Sequence, residues 1–289
     1  ILGDCSMVYA YQTLEVTQRV SVVEVTINNP PLNVMTLQLY SDLVEFTEKV
    51  EHDDSVKVII FQSANPDFFI AHFDVEAILE FPTDSPAKRS EKLSDFHLMC
   101  ERVRTMPKAT IAKIAGRAGG GGNEFAASCD MRFGLLEKTI INQMEVALGI
   151  LPGGTGTQSL PRLIGRGRAM EVCLGCDDLD AKTAESWGYL NRAFNSKSKL
   201  DEFIKNLSDR ISSWPIEAIS RCKASINNSE TSWQDGLVEE AFLFQETLRT
   251  KTAQTNMRTA LNLGLQTFDG ETNMGQLCLE FGRAAANKR

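Results

Sequence analysis

What is missing from these 289 residues narrows the field first. No apolar run approaches the roughly 20 residues that cross a bilayer, so no membrane span is expected. Positive charge is in deficit: 30 Lys and Arg stand against 38 Asp and Glu, a formal net charge of -8. A nucleic-acid or anionic-membrane partner is therefore not expected, since both are bound by basic faces. Histidine is scarce. His52, His72 and His97 form neither H-x-H nor H-E-x-x-H spacing, so no metal site is expected. There is no repeat of fixed period and no low-complexity tract. The opening ILGDCSMVYAYQT lacks a basic n-region and a long apolar core, and the closing AANKR is not a peroxisomal address; neither a secretory leader nor that address is expected. The seven cysteines, an odd number, read as scattered reduced thiols of a cytoplasmic or organellar-matrix protein and not as a disulfide frame.

What is present fits a soluble globular chain: 43% hydrophobic and 24% charged residues, with length enough for a sizeable core. RVSVVEVTIN (19–28) is Val-rich and alternating, which predicts a strand; NPPLN ends it, because proline cannot continue a ladder. Leu39, Leu43, Phe46 and Val50 fall on one face of a helix over 36–53, with Thr36 as its N-cap. VKVIIFQS (56–63) predicts a buried strand. ILEFPTDSPAKRSEK (78–92) predicts a loop, SDFHLMCERVRTM (94–106) a helix, TIAKIAG (110–116) a strand, NEFAASCD (123–130) a helix and MRFGL (131–135) a strand. Strands alternating with helices indicate an α/β core. From about residue 198 helical spacing dominates. Leu200, Phe203, Ile204, Leu207 and Ile211 mark one helix, and Leu237, Ala241, Phe244 and Leu248 another.

The stretch IAKIAGRAGGGGNEFAASCDMRFG (111–134) asks for an explanation. Four successive glycines, Gly119 to Gly122, are entropically costly, and a carboxylate, Glu124, follows closely. A strand, then glycines, then a helix leaves free N–H groups where the helix dipole favours negative charge. Such N–H groups can cradle a phosphate or stabilise an oxyanion. No G-x-x-x-x-G-K-[ST] is present, and GTGTQS (154–159) lacks the last glycine of G-x-G-x-x-G, which favours the oxyanion hole. Glu124 is then expected in the first helical turn, facing the reacting centre. A tight turn with a surface Glu is the alternative, and these residues alone leave it open.

The segment IAGRAGGGGNEFAASCD (114–130) resembles the signature of the enoyl-CoA hydratase/isomerase (crotonase) superfamily, I-x-G-x-A-x-G-G-G-x-E followed by C-D. NPPLNVMT (29–36) resembles its Pro-x-x-Asn loop, and DFFIAHFDVEAI (67–78) its F-x-A-G-x-D segment. The stretch from Met144 to Phe194 resembles P-E-x-x-x-G-x-x-P-G-x-G-G-T-Q-x-L-x-R followed by the A-x-x-A-x-x-x-G-L-V-N close. The likeness runs over about residues 20 to 260. It implies an α/β spiral of ββα units over 7–197, carrying the acyl-CoA site. It implies a helical region over 198–289 through which the chain forms a homotrimer or a dimer of trimers. It implies an acyl-CoA thioester substrate, with no cofactor beyond the CoA that the substrate carries.

Position by position, the resemblance makes Phe73 and Gly121 the two oxyanion N–H donors and Glu124 and Glu145 the catalytic acids. It places Pro31, Leu32, Ala71, His72 and Gly120 against substrate or CoA. Adding water across a conjugated C=C needs a base for the water and an acid for the α-carbon, which two carboxylates can share. A 2-enoyl-CoA hydratase, or the reverse 3-hydroxyacyl-CoA dehydratase, is the activity implied. An isomerase, a thioester hydrolase or decarboxylase, and a non-catalytic binding protein are the rivals. The chain departs from the family pattern at His72 in place of Gly, Met144 in place of Pro and Thr155 in place of Gly. Glu145 follows Glu124 by 21 positions, one more than the family leads one to expect, and the extra residue is placed in GLLEKTII (134–141). His72 is expected to pack or to transfer protons. Arg283 and Lys288 are expected on a solvated face or against a CoA phosphate.

Overall fold

In the computed structural model, which describes residues 9–81, 92–230, 250–264, 280 and 284, the Val-rich stretch 19–28 is not one strand. Two strands, β1 (Leu14–Arg19) and β2 (Val22–Ile27), pair antiparallel with Arg19 opposite Val22. Val20, at φ 53° and 93% exposed, is the turn between them. The expectation missed β1 because its sequence LEVTQR keeps only Leu14 fully buried, so no apolar run announces it.

The next elements follow their sequence signals closely. α1 (Leu37–Glu51) begins at Thr36, whose hydroxyl accepts the Leu39 N–H at 3.3 Å. β3 (Val58–Ser63) is buried, β4 (Phe68–Ile70) is short, and α2 (Val75–Leu79) takes in the first two residues expected as loop. The rest of that loop, 82–91, lies outside the described residues. α3 (Asp95–Thr105) is capped by Ser94, whose hydroxyl accepts the His97 N–H. β5 (Ala109–Ile114), β6 (Arg117–Gly119), α4 (Gly120–Ser128), β7 (Met131–Leu135) and β8 (Ile140–Asn142) come next. A 3-10 turn (Glu145–Leu148), α5 (Gly156–Ile164), α6 (Arg166–Gly175), β9 (Leu179–Asp180), α7 (Ala181–Trp187) and β10 (Arg192–Phe194) complete this part.

The long strands form one six-stranded sheet in the order β1-β2-β3-β5-β7-β10, and the short ones a second in the order β4-β6-β8-β9. A long strand therefore hands over to a short one, then to helix, and the chain returns: β3–β4 then α2 and α3, β5–β6 then α4, β7–β8 then the later helices. This is an α/β spiral of ββα units. β2 with β3, β5 with β7 and β7 with β10 are parallel, and so are β4 with β6 and β6 with β8. The apolar faces of α1 and the first sheet meet in a chain of edge-on rings. Phe46 lies 5.9 Å from Phe61, and Phe61 lies 5.0 Å from Phe125 of α4, all fully buried. Burying one such side chain contributes about 1.5–3 kcal/mol, so Phe125 seats α4 firmly.

The glycine run is itself helical. α4 starts at Gly120, not at Asn123, and Glu124 falls in its second turn instead of its first. Glycine is a poor helix former, so the reason lies in packing. A Cβ on Gly122 would overlap the Ile70 carbonyl oxygen and sit 2.6 Å from the Ile70 Cβ. Only a bare backbone lets α4 touch β4 this closely.

Two compact units divide the chain. The first takes the described residues up to Met106 and Thr110–Ile204; the second takes Pro107–Ala109 and the described residues from Lys205 onward. Within the second, α8 (Lys197–Ser212) ends and α9 (Ile216–Asn227) and α10 (Lys251–Asn262) follow. The buried Lys223 of α9 donates from Nζ to the Lys108 carbonyl oxygen at 2.9 Å. The stripe Leu237, Ala241, Phe244 and Leu248 lies outside the described residues, as do Arg283 and Lys288. Among the described residues no helix is long and apolar enough to cross a membrane.

Candidate active site

Residues 69–74 run beside the start of α4, and the Pro-x-x-Asn loop fixes them there. Asn33, in the left-handed region and 1% exposed, donates from Nδ2 to the Ser63 hydroxyl at 2.8 Å and to the Phe69 carbonyl at 3.2 Å. Met35 donates its N–H to the His72 carbonyl at 2.8 Å and accepts from the Asp74 N–H at 3.1 Å. These two bonds make a parallel bridge between Met35 and Phe73. In such a bridge the residue flanked by both bonds turns its own N–H the other way. The Phe73 N–H thus points away from Met35, and its nitrogen lies near α4: the position of a Cβ on Gly121 is 3.5 Å from the Phe73 nitrogen and 3.1 Å from its Cβ. Gly121 is the second residue of its helix, where an N–H has no partner within the helix. Two backbone donors thus lie side by side.

Glu124 is 3% exposed. Its Oε1 accepts three backbone N–H groups, from Gly154 at 2.8 Å, Thr155 at 2.9 Å and Gly156 at 2.8 Å. Gly154 and Thr155 directly precede α5 and Gly156 opens it, so the three N–H groups gather at the end of a helix that attracts negative charge. Oε1 is fully engaged as an acceptor, which leaves Oε2 as the oxygen available to exchange a proton. Thr155, which departs from the family pattern, still supplies its N–H, and its hydroxyl donates to the Glu124 carbonyl at 3.3 Å. GTGTQS shows in the sequence as an incomplete nucleotide motif and as part of the family stretch, and neither reveals this clasp. The available signal was a glycine-flanked threonine ahead of a helical segment, a pattern that leaves free N–H groups.

Glu145 opens the 3-10 turn and is 8% exposed. Its Oε2 accepts from Gln143 Nε2 at 3.1 Å, and its Oε1 faces Gly120, where a Cβ would lie 3.0 Å away. Burial first, and the Glu124 charge after it, push the Glu145 carboxyl up from 4.5 to about 7. Residues 136–138, within the stretch expected to hold the extra residue, are exposed in a surface turn between β7 and β8.

The other anticipated residues separate. His72 and Gly120 stand at the same spot: a Cβ on Gly120 would be 3.4 Å from the His72 Cβ. The His72 ring bonds through Nδ1 to the Phe73 carbonyl at 2.8 Å. Ala71 is buried and donates its N–H to the Asn33 carbonyl at 3.2 Å, while Pro31 and Leu32 are exposed on the loop before it. Phe73 belongs to a half-buried aromatic trio. Tyr40 and Phe96 stack at 5.9 Å, and both meet Phe73 edge-on at 6.0 Å. Phe96 borders both Gly121 and Gly154 and so stands next to Glu124. Two of the cysteines are not scattered singles: Cys173 and Cys176 form a C-x-x-C pair of free thiols at the end of α6. The Cys176 Sγ accepts the Ala147 N–H, two residues along from Glu145, at 3.3 Å. Cys129 is a buried core thiol. Among the described residues no group of three or more His, Cys, Asp or Glu side chains could hold a metal ion.

A buried acid with a raised pKa makes stability depend on pH. The folded chain holds the Glu145 proton up to about 7, whereas the unfolded chain gives it up near 4.5. The stabilisation is fully present below the unfolded value and is lost as pH rises through the folded one. Glu145→Gln removes the titration at little change in shape. Relative to wild type the variant should gain roughly 1–3 kcal/mol between pH 4 and pH 8. Urea midpoints of both proteins at the two pH values measure this, and a difference that does not vary with pH contradicts it.

A family model described as enoyl-CoA hydratase/isomerase matches residues 17–269. The chain is 30% identical over 261 residues to a probable enoyl-CoA hydratase of Bacillus subtilis (strain 168), covering 90% of this chain and 98% of that one. It is 31% identical over 251 residues to a probable mitochondrial enoyl-CoA hydratase of Dictyostelium discoideum, covering 86% and 87%. Among solved structures, an enoyl-CoA hydratase from Bacillus anthracis superposes with a TM-score of 0.76 at 25% identity, over 86% of this chain and 95% of the other.

Proposed function

From a chain that belongs to the enoyl-CoA hydratase/isomerase family, and so takes acyl-CoA thioesters as its substrates, we propose a 2-enoyl-CoA hydratase that uses Glu124 as base and Glu145 as acid. The observation that carries this reading is the unequal setting of the two glutamates. Glu145 is pushed up to about 7 and can bring a proton at neutral pH. Glu124 has one oxygen clasped by three N–H groups and the other open. Environments that separate two carboxylates in this way divide acid from base work.

The thioester oxygen accepts from the Phe73 and Gly121 N–H groups. Glu124 Oε2 takes a proton from water as the water oxygen bonds to the β-carbon. The C=C electron pair moves toward the thioester, and the negative charge collects on the oxygen that the two N–H groups hold. Glu145 then delivers its proton to the α-carbon, giving the 3-hydroxyacyl thioester. Dehydration is the same path reversed. The half-buried rings of Tyr40, Phe73 and Phe96 offer an apolar wall for the acyl chain. Pro31, Leu32, Ala71, His72 and Gly120 complete the substrate side. The same reading assembles the chain, over 198–289, as a homotrimer or a dimer of trimers; its support is the family resemblance, and light scattering that finds an active monomer overturns it.

Crotonyl-CoA in deuterated water enriched in oxygen-18 tests the chemistry. The expected product is 3-hydroxybutyryl-CoA carrying solvent oxygen at the β-carbon and deuterium at the α-carbon, by mass spectrometry. A double-bond shift without solvent oxygen replaces the hydratase by an isomerase. Release of free CoA replaces it by a thioester hydrolase.

A further inference from the structure

Glu145 stands at one end of a buried chain of hydrogen bonds that its chemistry alone does not require. Gln143 Nε2 donates to Glu145 Oε2. Asn123 Nδ2 donates to Gln143 Oε1, and the Tyr189 hydroxyl donates to Asn123 Oδ1. Tyr189, Asn123 and Gln143 are each 0% exposed, and they come from three separate places: the turn before β10, helix α4 and the end of β8. Tyr189 stands where the G-L-V-N pattern of the family has leucine. Three polar side chains buried together are costly unless every donor and acceptor is matched.

Resting on the reading of Glu145 as the acid, we infer that Tyr189 is a positioning residue that acts through Asn123 and Gln143 by fixing the direction in which their hydrogen bonds run into Glu145. A side-chain amide has one accepting end and one donating end, so turning one amide of the row forces the other to turn. In the observed sense every donor points toward Glu145, the sense a carboxylate needs. In the opposite sense Glu145 would donate to Gln143, Gln143 to Asn123, and Asn123 to the Tyr189 oxygen. The Tyr189 hydrogen would then have no acceptor among the described residues. The phenol therefore decides between the two senses.

The surroundings keep that hydrogen in place. Burial raises the Tyr189 pKa, so the hydroxyl stays protonated. Arg132 lies 5.4 Å from the ring centre and donates from Nε to the Tyr189 carbonyl at 2.8 Å, which pins the residue and polarises the hydroxyl as a donor. The titratable groups facing Glu145 are Glu124 from α4, His72 across Gly120, and Cys173 with Cys176 from α6. Burial, with the two glutamates, pushes the Cys173 thiol up to about 11, so it stays neutral. Burial and then the Glu124 charge oppose ionisation of Glu145; hydrogen bonding from its own backbone and, after it, the Gln143 amide at the end of the row favour it.

Carbon-13 titration of the free protein, labelled at the glutamate side-chain carboxyls, reads the effect without any turnover. The Glu145 signal is identified by its loss in Glu145→Gln. Tyr189→Phe keeps the ring and removes the hydroxyl; the Glu145 midpoint should rise by about 0.5–1 pH unit, the size of one hydrogen bond. Asn123→Leu should raise it in the same sense, and the double variant should go no further than Asn123→Leu alone, because both changes cut one row. A purely structural role lowers the melting temperature without moving that midpoint. An unchanged midpoint in Tyr189→Phe, or in Asn123→Leu should the first variant fail to fold, overturns the inference. The pH dependence of crotonyl-CoA turnover separates the two readings. If the midpoint moves and the alkaline limb moves with it, both stand. If the midpoint moves and the limb does not, the row acts on Glu145 as inferred and the assignment of Glu145 as the acid falls.

Discussion

Glu124→Gln is expected to lower turnover about 10²-fold or more, the usual scale of a lost general base, with KM for crotonyl-CoA nearly unchanged. The clasp is the reason this substitution is clean. The amide oxygen of Gln can take the place of Oε1 and accept the same three N–H groups of residues 154–156. The amide nitrogen then replaces Oε2 and cannot take a proton from water. Fold and substrate binding survive while the chemistry stops. Glu124→Ala would be a poorer test, because it also strips the start of α5 of the acceptor that holds it. Steady-state kinetics beside a thermal melt decide the matter. Wild-type turnover in Glu124→Gln removes the residue from the mechanism.

Gly121→Val should cost about 2.7–4 kcal/mol of transition-state stabilisation, a loss of roughly 10²–10³-fold in kcat, the range found when one oxyanion donor is removed. A side chain at this position would sit 3.1 Å from the Phe73 Cβ and 3.5 Å from the Phe73 nitrogen, in the space that the proposed oxyanion hole gives to the thioester oxygen. Gly121 does not have the positive φ of its neighbour Gly120, so the backbone tolerates the change. Gly122 makes the contrast. A Cβ there meets Ile70 backbone and side chain at overlap distance, so Gly122→Ala should fail in folding and not in catalysis. A Gly121→Val protein with a native melt and full activity contradicts the oxyanion assignment.

Several elements were legible because one physical cause dominates them. α1 and α3 are long and amphipathic, and each starts on a hydroxyl that caps it. β3 and β5 are apolar runs bounded by polar or glycine residues. The second sheet was not legible. Its strands have two or three residues, too short for any alternation to register, and they exist because the first sheet places them. The glycine run was read as a loop leading to a helix, since propensity argues against glycine there; contact with β4 overrides propensity. At the site, Glu124 and Glu145 could be named from motifs. Their unequal settings could not, because they depend on N–H groups 30 to 32 residues further along and on burial that only the fold creates. The Tyr189 row joins side chains up to 66 positions apart, and no local pattern reports it.

Gly121 and Glu124 lie three residues apart on one helix, which fixes their separation along its axis at about 4.5 Å. Helix pitch therefore sets how far apart along the axis the backbone at Gly121 stands from the backbone that carries the Glu124 side chain. Under the proposed function that distance serves the part of the substrate between the thioester oxygen and the β-carbon, which is common to every 2-enoyl thioester whatever follows the β-carbon. Mutation cannot retune that distance in small steps, because a helix changes length only by whole residues. On that reading substrate range is left to segments off the helix, such as the aromatic trio. Diversification of acyl preference can then proceed at those positions while the reaction stays the same.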